Sequence, residues 1–89
     1  MLSEKIEIIN QLGLHARAAA KFVSTATHFE SKIKISRDGR QVDGKSIMSV
    51  MMLAASCGSE IEVTTDGPDE AEALDAIKVL IQDRFGEEQ

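Results

Sequence analysis

Lys32-Ile33-Lys34-Ile35-Ser36-Arg37-Asp38-Gly39-Arg40-Gln41-Val42-Asp43 decides the fold. Lysine and isoleucine alternate over the first four positions, so one side of this run is charged and the other apolar. That is the period-two pattern of a half-exposed strand. Asp38-Gly39 is a strong hairpin signal, because a tight two-residue turn needs positive φ at its central positions. The chain therefore returns on Arg40 to Asp43. A plain hairpin with lysines on one side belongs to a mainly antiparallel sheet that keeps one face wet.

On the N-terminal side, Lys5-Ile6-Glu7-Ile8 alternates in the same way and reads as a strand starting at Leu2, broken by Asn10 to Gly13. From Ala16 to about Thr27 the period changes. Ala19, Phe22, Val23 and Ala26 fall at i, i+3, i+4 and i+7, one inward face of a helix. On the C-terminal side, Ser46 is a good N-cap for a short helix over Ile47 to Ala55, with Gly58 as its stop. Glu60 to Thr64 is a fourth strand, and Gly67-Pro68 turns the chain. Asp69 and Glu72 have the spacing of a capping box. The last helix runs to about Arg84 and should bury Ala73, Leu74, Ile77, Leu80 and Ile81. The order β-α-β-β-α-β-α, with no linker or repeat, predicts an α+β fold: four strands with three helices on one face.

The chain has 89 residues, enough for one domain spanning 1–89 with a thin two-layer core. Its aromatics are three Phe, with neither Trp nor Tyr, which argues against base-stacking platforms and aromatic cages. The net charge of −5 weighs against nucleic acid as the main partner. The charge is uneven: residues 1–44 hold seven basic and five acidic residues, and residues 45–89 hold three and ten. An anion would be tolerated in the first half.

The single cysteine, Cys57, forms no internal disulfide and is expected to be a small buried hydrophobe. The N-terminal segment is acidic where a signal peptide would be basic and apolar. The longest apolar run, Val50 to Ala55, is far short of the ~20 residues that cross a bilayer. A cytoplasmic protein without membrane insertion is expected.

Gly39 to Ser46 matches the phosphate-loop pattern G-x-x-x-x-G-K-S letter for letter. The context is wrong. That loop joins a buried parallel strand to a long helix, whereas the strand here is half exposed and the intervening residues are a hairpin arm.

Of two histidines, His28 lies among polar residues near a helix end and reads as a surface residue. His15 stands where the first helix should have its N-cap, after Leu12-Gly13-Leu14. No Ser, Thr, Asp or Asn precedes that helix, so the first-turn N–H groups of Ala16, Arg17 and Ala18 lack a conventional cap. Free N–H groups at a positive dipole end form an anion site, and Arg17 adds a planar donor suited to phosphate oxygens. Two readings stay open from spacing alone. His15 either ends a loop beside a solvated guanidinium, or it carries or binds a phosphoryl group. Two distant His and one Cys are no metal set, and a domain this small has little room for an enclosed substrate pocket.

The second helix is also unusual. Ile47, Met48, Val50, Met51, Met52, Leu53 and Ala54 point all round the wheel, although a two-layer domain cannot bury a helix on every side. Val50, Leu53 and Ala54 share one side. The exposed remainder, rich in methionine, suits adaptable contact with a partner; the alternative is that the methionines fill gaps in the core.

Gly13-Leu14-His15-Ala16-Arg17-Ala18-Ala19 resembles the active-site motif of the HPr family, the histidine phosphocarriers of the bacterial phosphotransferase system. Gly44-Lys45-Ser46-Ile47-Met48 resembles that family's regulatory-serine motif, and element order matches over essentially the whole chain. The resemblance implies an open-faced β-sandwich, and a carrier with no cofactor and no resident metal rather than a turnover enzyme. It implies that phospho-enzyme I phosphorylates His15 on Nδ1, with Arg17 and the backbone of Ala16, Arg17 and Ala18 holding the phosphate. An enzyme II A-type domain would then accept the group. Ser46 matches the serine modified by the ATP-dependent HPr kinase/phosphorylase, and Ala20, Ile47, Met48 and Met51 are expected at the partner interface of a monomer. Ala18 stands where the family usually has Pro, which adds an N–H donor and removes rigidity from the first turn.

Three functions fit these residues: a sugar-uptake phosphocarrier, a paralogous carrier in a nitrogen-related or regulatory relay, and an unphosphorylated sandwich that binds a small anion. The intact His15 and Arg17 pair argues against the last.

Overall fold

The computed structural model describes residues 1–89. Its hairpin consists of β2 (Lys32–Arg37) and β3 (Arg40–Asp43), joined with Asp38 at φ 52° and Gly39 at φ 82°. Positive φ at both central residues matches the twist of the flanking strands. Strand β4 (Glu60–Asp66) pairs with β2, and β1 (Leu2–Glu7) pairs with β4. The sheet order is β1-β4-β2-β3, and every pairing is antiparallel.

Register sorts the two faces. Ile6 opposes Ile61, Ile35 opposes Val63, and Ile33 opposes Thr65; all six are buried. On the other face Lys5 opposes Glu62 and Lys34 opposes Thr64, and no helix covers them. A one-residue slip would exchange the two sets, so the isoleucines and valine fix the pairing. The helices α1 (Ala16–Ala26), α2 (Ile47–Met52) and α3 (Glu70–Gln82) complete an open-faced β-sandwich. Helix α1 buries Ala18, Ala19, Phe22, Val23 and Ala26. Helix α3 buries Ala73, Ile77 and Ile81, with Leu74 and Leu80 at the margin of the core.

Four expectations need correction. Helix α2 ends at Met52, with Leu53 as its cap, and does not run on to Ala55 or use Gly58. Arg37 donates to the Leu53 carbonyl at 3.0 Å, and Ala54 turns left-handed at φ 52°, which stops the helix. Ala54 is exposed and does not share the buried side with Val50 and Leu53.

Asp69 precedes α3 but makes no side-chain cap. Its carboxylate instead accepts from the Glu30 N–H, the Ser31 N–H and the Ser31 hydroxyl, at 2.9, 2.9 and 2.5 Å. The Ser31 hydroxyl first, and then the Glu30 N–H, hold it below the ordinary carboxyl range despite an opposing push from burial. Glu70 closes the turn in its place, accepting from the Gly67 N–H.

Cys57 is exposed in the turn before β4, where no core element covers it. Beyond α3, the chain enters a 3₁₀ turn at Arg84–Gly86 and folds back with Arg84, Phe85 and Gly86 all at positive φ.

Candidate functional site

His15 is the N-cap of α1, with extended backbone at φ −73° and ψ 177°. Its place is set from below. Gly13 has φ 67°, and a Cβ there would lie 2.5 Å from the Ala55 carbonyl oxygen, so only glycine fits. Leu14 is buried, and its N–H donates to the same carbonyl at 2.8 Å. The imidazole is left in an open cleft of about 770 Å³, lined by Gln11, Leu12, Ala16, Arg17 and the chain end from Glu87 to Gln89.

Both ring nitrogens are engaged. Nδ1 accepts from the Arg17 N–H at 3.3 Å, and Nε2 lies 2.5 Å from Glu87 Oε2. A carboxylate can only accept, so Nε2 carries the proton and Nδ1 keeps its lone pair directed at the first turn of α1. This corrects the expectation for the helix start: the Arg17 N–H is capped by His15 itself. The N–H groups of Ala16 and Ala18 have no protein partner. Ala16 and Arg17 are exposed, Ala18 is buried, and the Arg17 guanidinium makes no hydrogen bond or ion pair within the chain. An N-cap that offers a nucleophilic nitrogen beside free donors can hold an anion and can also bond to one.

Glu87 went unread in the sequence. It is part-buried, and its other oxygen accepts from Asn10 Nδ2 at 3.1 Å. Burial pushes this carboxyl up. The hydrogen bonds from His15 and Asn10, helped by the charge of Lys21, more than offset that and leave it below the ordinary range. The tail that carries Glu87 is anchored by the buried Phe85 ring, by Lys21 Nζ donating to the Phe85 carbonyl at 2.6 Å, and by the Gln11 N–H donating to Gln89. Only the lone aromatic Phe85 and Gly86, just past the helical pattern, hinted at a folded tail.

Ser46 caps α2: it is half-buried, and its Oγ accepts from the Ser49 N–H at 3.3 Å. Helix α2 packs on α1 and buries Val50, while Ile47, Met48, Met51 and Met52 remain exposed, Met48 at 70%. Ala20 is half-buried on α1. His28 is exposed and engages the carbonyl of Ser24 at its own helix end. The segment matching the phosphate-loop pattern is the β3 arm with its turns, and Gly44 packs closely on Ile33. No helix is long and apolar enough to cross a membrane.

Known proteins match this chain over nearly its whole length. The family described as PTS HPr component phosphorylation site matches residues 2–83. The phosphocarrier protein HPr of Cupriavidus necator is 61% identical over 87 residues, covering 98% of each chain. That of Neisseria meningitidis serogroup B is 55% identical over the same length and coverage. Among solved structures, HPr of Thermoanaerobacter tengcongensis superposes with a TM-score of 0.96 at 46% identity over both full chains. HPr of Bacillus anthracis gives 0.88 at 42%, covering 91% of this chain and 96% of that one. The chain belongs to the HPr family of phosphocarrier proteins of the phosphotransferase system.

Proposed function

We propose that the chain accepts a phosphoryl group from phospho-enzyme I on Nδ1 of His15 and passes it to an enzyme II A-type domain. The observation that carries this reading is the Nδ1 lone pair at the start of α1, aimed at the Arg17 N–H. The lone pair attacks phosphorus as the donor's bond to phosphorus breaks. The Arg17 N–H, until then bound to Nδ1, turns to a phosphate oxygen. The free N–H groups of Ala16 and Ala18 and the Arg17 guanidinium complete the charge stabilisation. These donors are few and the cleft is open, which suits a group that must leave again.

Docking falls to the surface around the site, Ala20 with Ile47, Met48 and Met51. Ser46 is the regulatory position, modified by an ATP-dependent kinase of the HPr kinase/phosphorylase type. The chain acts as a cytoplasmic monomer. One relative of known structure is described as an HPr dimer, and sedimentation of this chain at working concentration tests its own state.

A nitrogen-related or regulatory relay would use the same chemistry with other partners, and the acceptor decides between them. The chain is incubated with phosphoenolpyruvate and enzyme I, then presented with sugar-specific and nitrogen-type A domains, and each protein is weighed intact. Transfer to a sugar-specific domain supports the reading. Transfer to nitrogen-type domains alone assigns the other relay, and no phosphate on the chain contradicts both.

A further inference from the structure

The contact between His15 and Glu87 joins residues 72 positions apart and is built from several independent parts. The chain reverses after α3 through three consecutive left-handed residues, two of them not glycine. Left-handed backbone is unfavourable for such a residue, so the turn persists only because the surroundings impose it. Phe85 is fully buried, Lys21 holds its carbonyl, and Asn10, itself fully buried, donates both to Glu87 and to the Gly13 carbonyl at the base of the His15 loop. One carboxylate oxygen is thereby fixed by Asn10, and the other meets the imidazole.

We infer that Glu87 is a positioning residue for phosphoryl transfer, holding the His15 ring with Nδ1 unprotonated and balancing the charge the ring acquires. This rests on the reading of His15 as the phosphoryl carrier. When Nδ1 forms its bond to phosphorus, the donor's bond breaks and that electron pair stays with the donor. The Nε2 proton does not leave, so the ring becomes positively charged at that moment. A carboxylate 2.5 Å from Nε2 neutralises that charge and raises the electron density at Nδ1 beforehand. Glu87 meets the ring at Nε2, on the side away from Nδ1, so it leaves the attacking lone pair uncovered. The α1 dipole by itself disfavours a cationic ring, and Glu87 supplies the opposite sign at the nitrogen that bears the proton.

Glu87→Gln keeps a carbonyl oxygen for Asn10 and removes the charge. In the intact unmodified protein, the Nε2 proton should give a downfield, exchange-protected signal in ¹⁵N-imidazole spectra, and Glu87→Gln should lose it. In phosphorylation by phospho-enzyme I, kcat should fall about tenfold, the scale of loss when the outer carboxylate partner of a metal-bound imidazole is removed, with KM little changed because Glu87 is mostly covered. An amide spectrum unchanged outside the cleft shows that the variant is folded. A kcat within about twofold of wild type, or a loss carried by KM alone, overturns the inference and leaves the carrier reading intact. A wild type that takes no phosphate at His15 overturns both. The proton signal, which needs no phosphorylation, then still reports whether the carboxylate holds the ring.

Discussion

The Lys21 ammonium donates to the Phe85 carbonyl oxygen at 2.6 Å, while the Phe85 side chain is fully buried in the core. This pair fastens the C-terminal turn to α1 and so sets where Glu87 meets His15. Phe85→Ala should cost about 3–5 kcal/mol, the usual loss for a buried phenylalanine in a close-packed core. Urea unfolding measures it. A loss below about 1 kcal/mol would show that the tail is not fastened there.

Asp69 gives a pH dependence. Its carboxyl is held below the ordinary 3.8, first by the Ser31 hydroxyl and then by the Glu30 N–H. A carboxyl lowered in the folded state stabilises the fold above its unfolded value and loses that contribution as pH falls through the folded value. Asp69→Asn should therefore be less stable than wild type at neutral pH, and the gap should close progressively below 3.8. Urea midpoints of both proteins across that range are the test. A gap of constant size would mean that charge is not what Asp69 contributes.

Met48 is 70% exposed although its helix is apolar around most of the wheel. Met48→Asp should shift the melting temperature by less than about 3 °C, as expected of a surface change in a domain of this size. Its affinity for enzyme I should fall at least about tenfold if the side chain is a docking contact. A large fall in melting temperature with affinity retained would assign Met48 to the core.

Ser46 caps α2 without being deeply buried, so added charge there meets the positive end of the helix. A phosphate adds roughly −1.5 to −2 charge and should leave the fold unchanged. Its effect should fall on the proposed docking over Ile47 and Met48 of an acidic partner, where opposed like charges would cost several kcal/mol against about one for a cap change. Phosphorylated chain should bind enzyme I more weakly, Ser46→Asp partly so, and salt should relieve both in part. Equal affinities, or amide shifts spreading into α1 and the sheet, would contradict a local electrostatic effect.

Much of this was legible in the sequence because it is local and periodic. Alternation placed the strands, Asp38-Gly39 placed the hairpin, and the spacing of Ala19, Phe22, Val23 and Ala26 placed α1. His15 could be singled out because a histidine stood where a cap belonged. What escaped was long-range. The stop of α2 depends on Arg37, sixteen residues away from the Leu53 carbonyl it binds. Asp69 carries the right letter for a capping box, but Ser31 competes for its carboxylate and wins. Glu87 sits in a short tail without periodicity, and its partner is at the other end of the chain. No local pattern encodes such a pairing; the left-handed turn and the burial of Phe85 create it.

The most direct measurement compares wild type with His15→Ala after incubation with phosphoenolpyruvate and enzyme I, by intact mass before and after mild acid. His15 is an N-cap that leaves Leu14 and Ala18 to fill the core, so the variant should fold, with a cap loss of about 1 kcal/mol. Wild type should gain one phosphate that mild acid removes, and folded His15→Ala should gain none. An acid-labile phosphate on His15→Ala, or none on wild type, would contradict the assignment of His15 as the phosphoryl carrier.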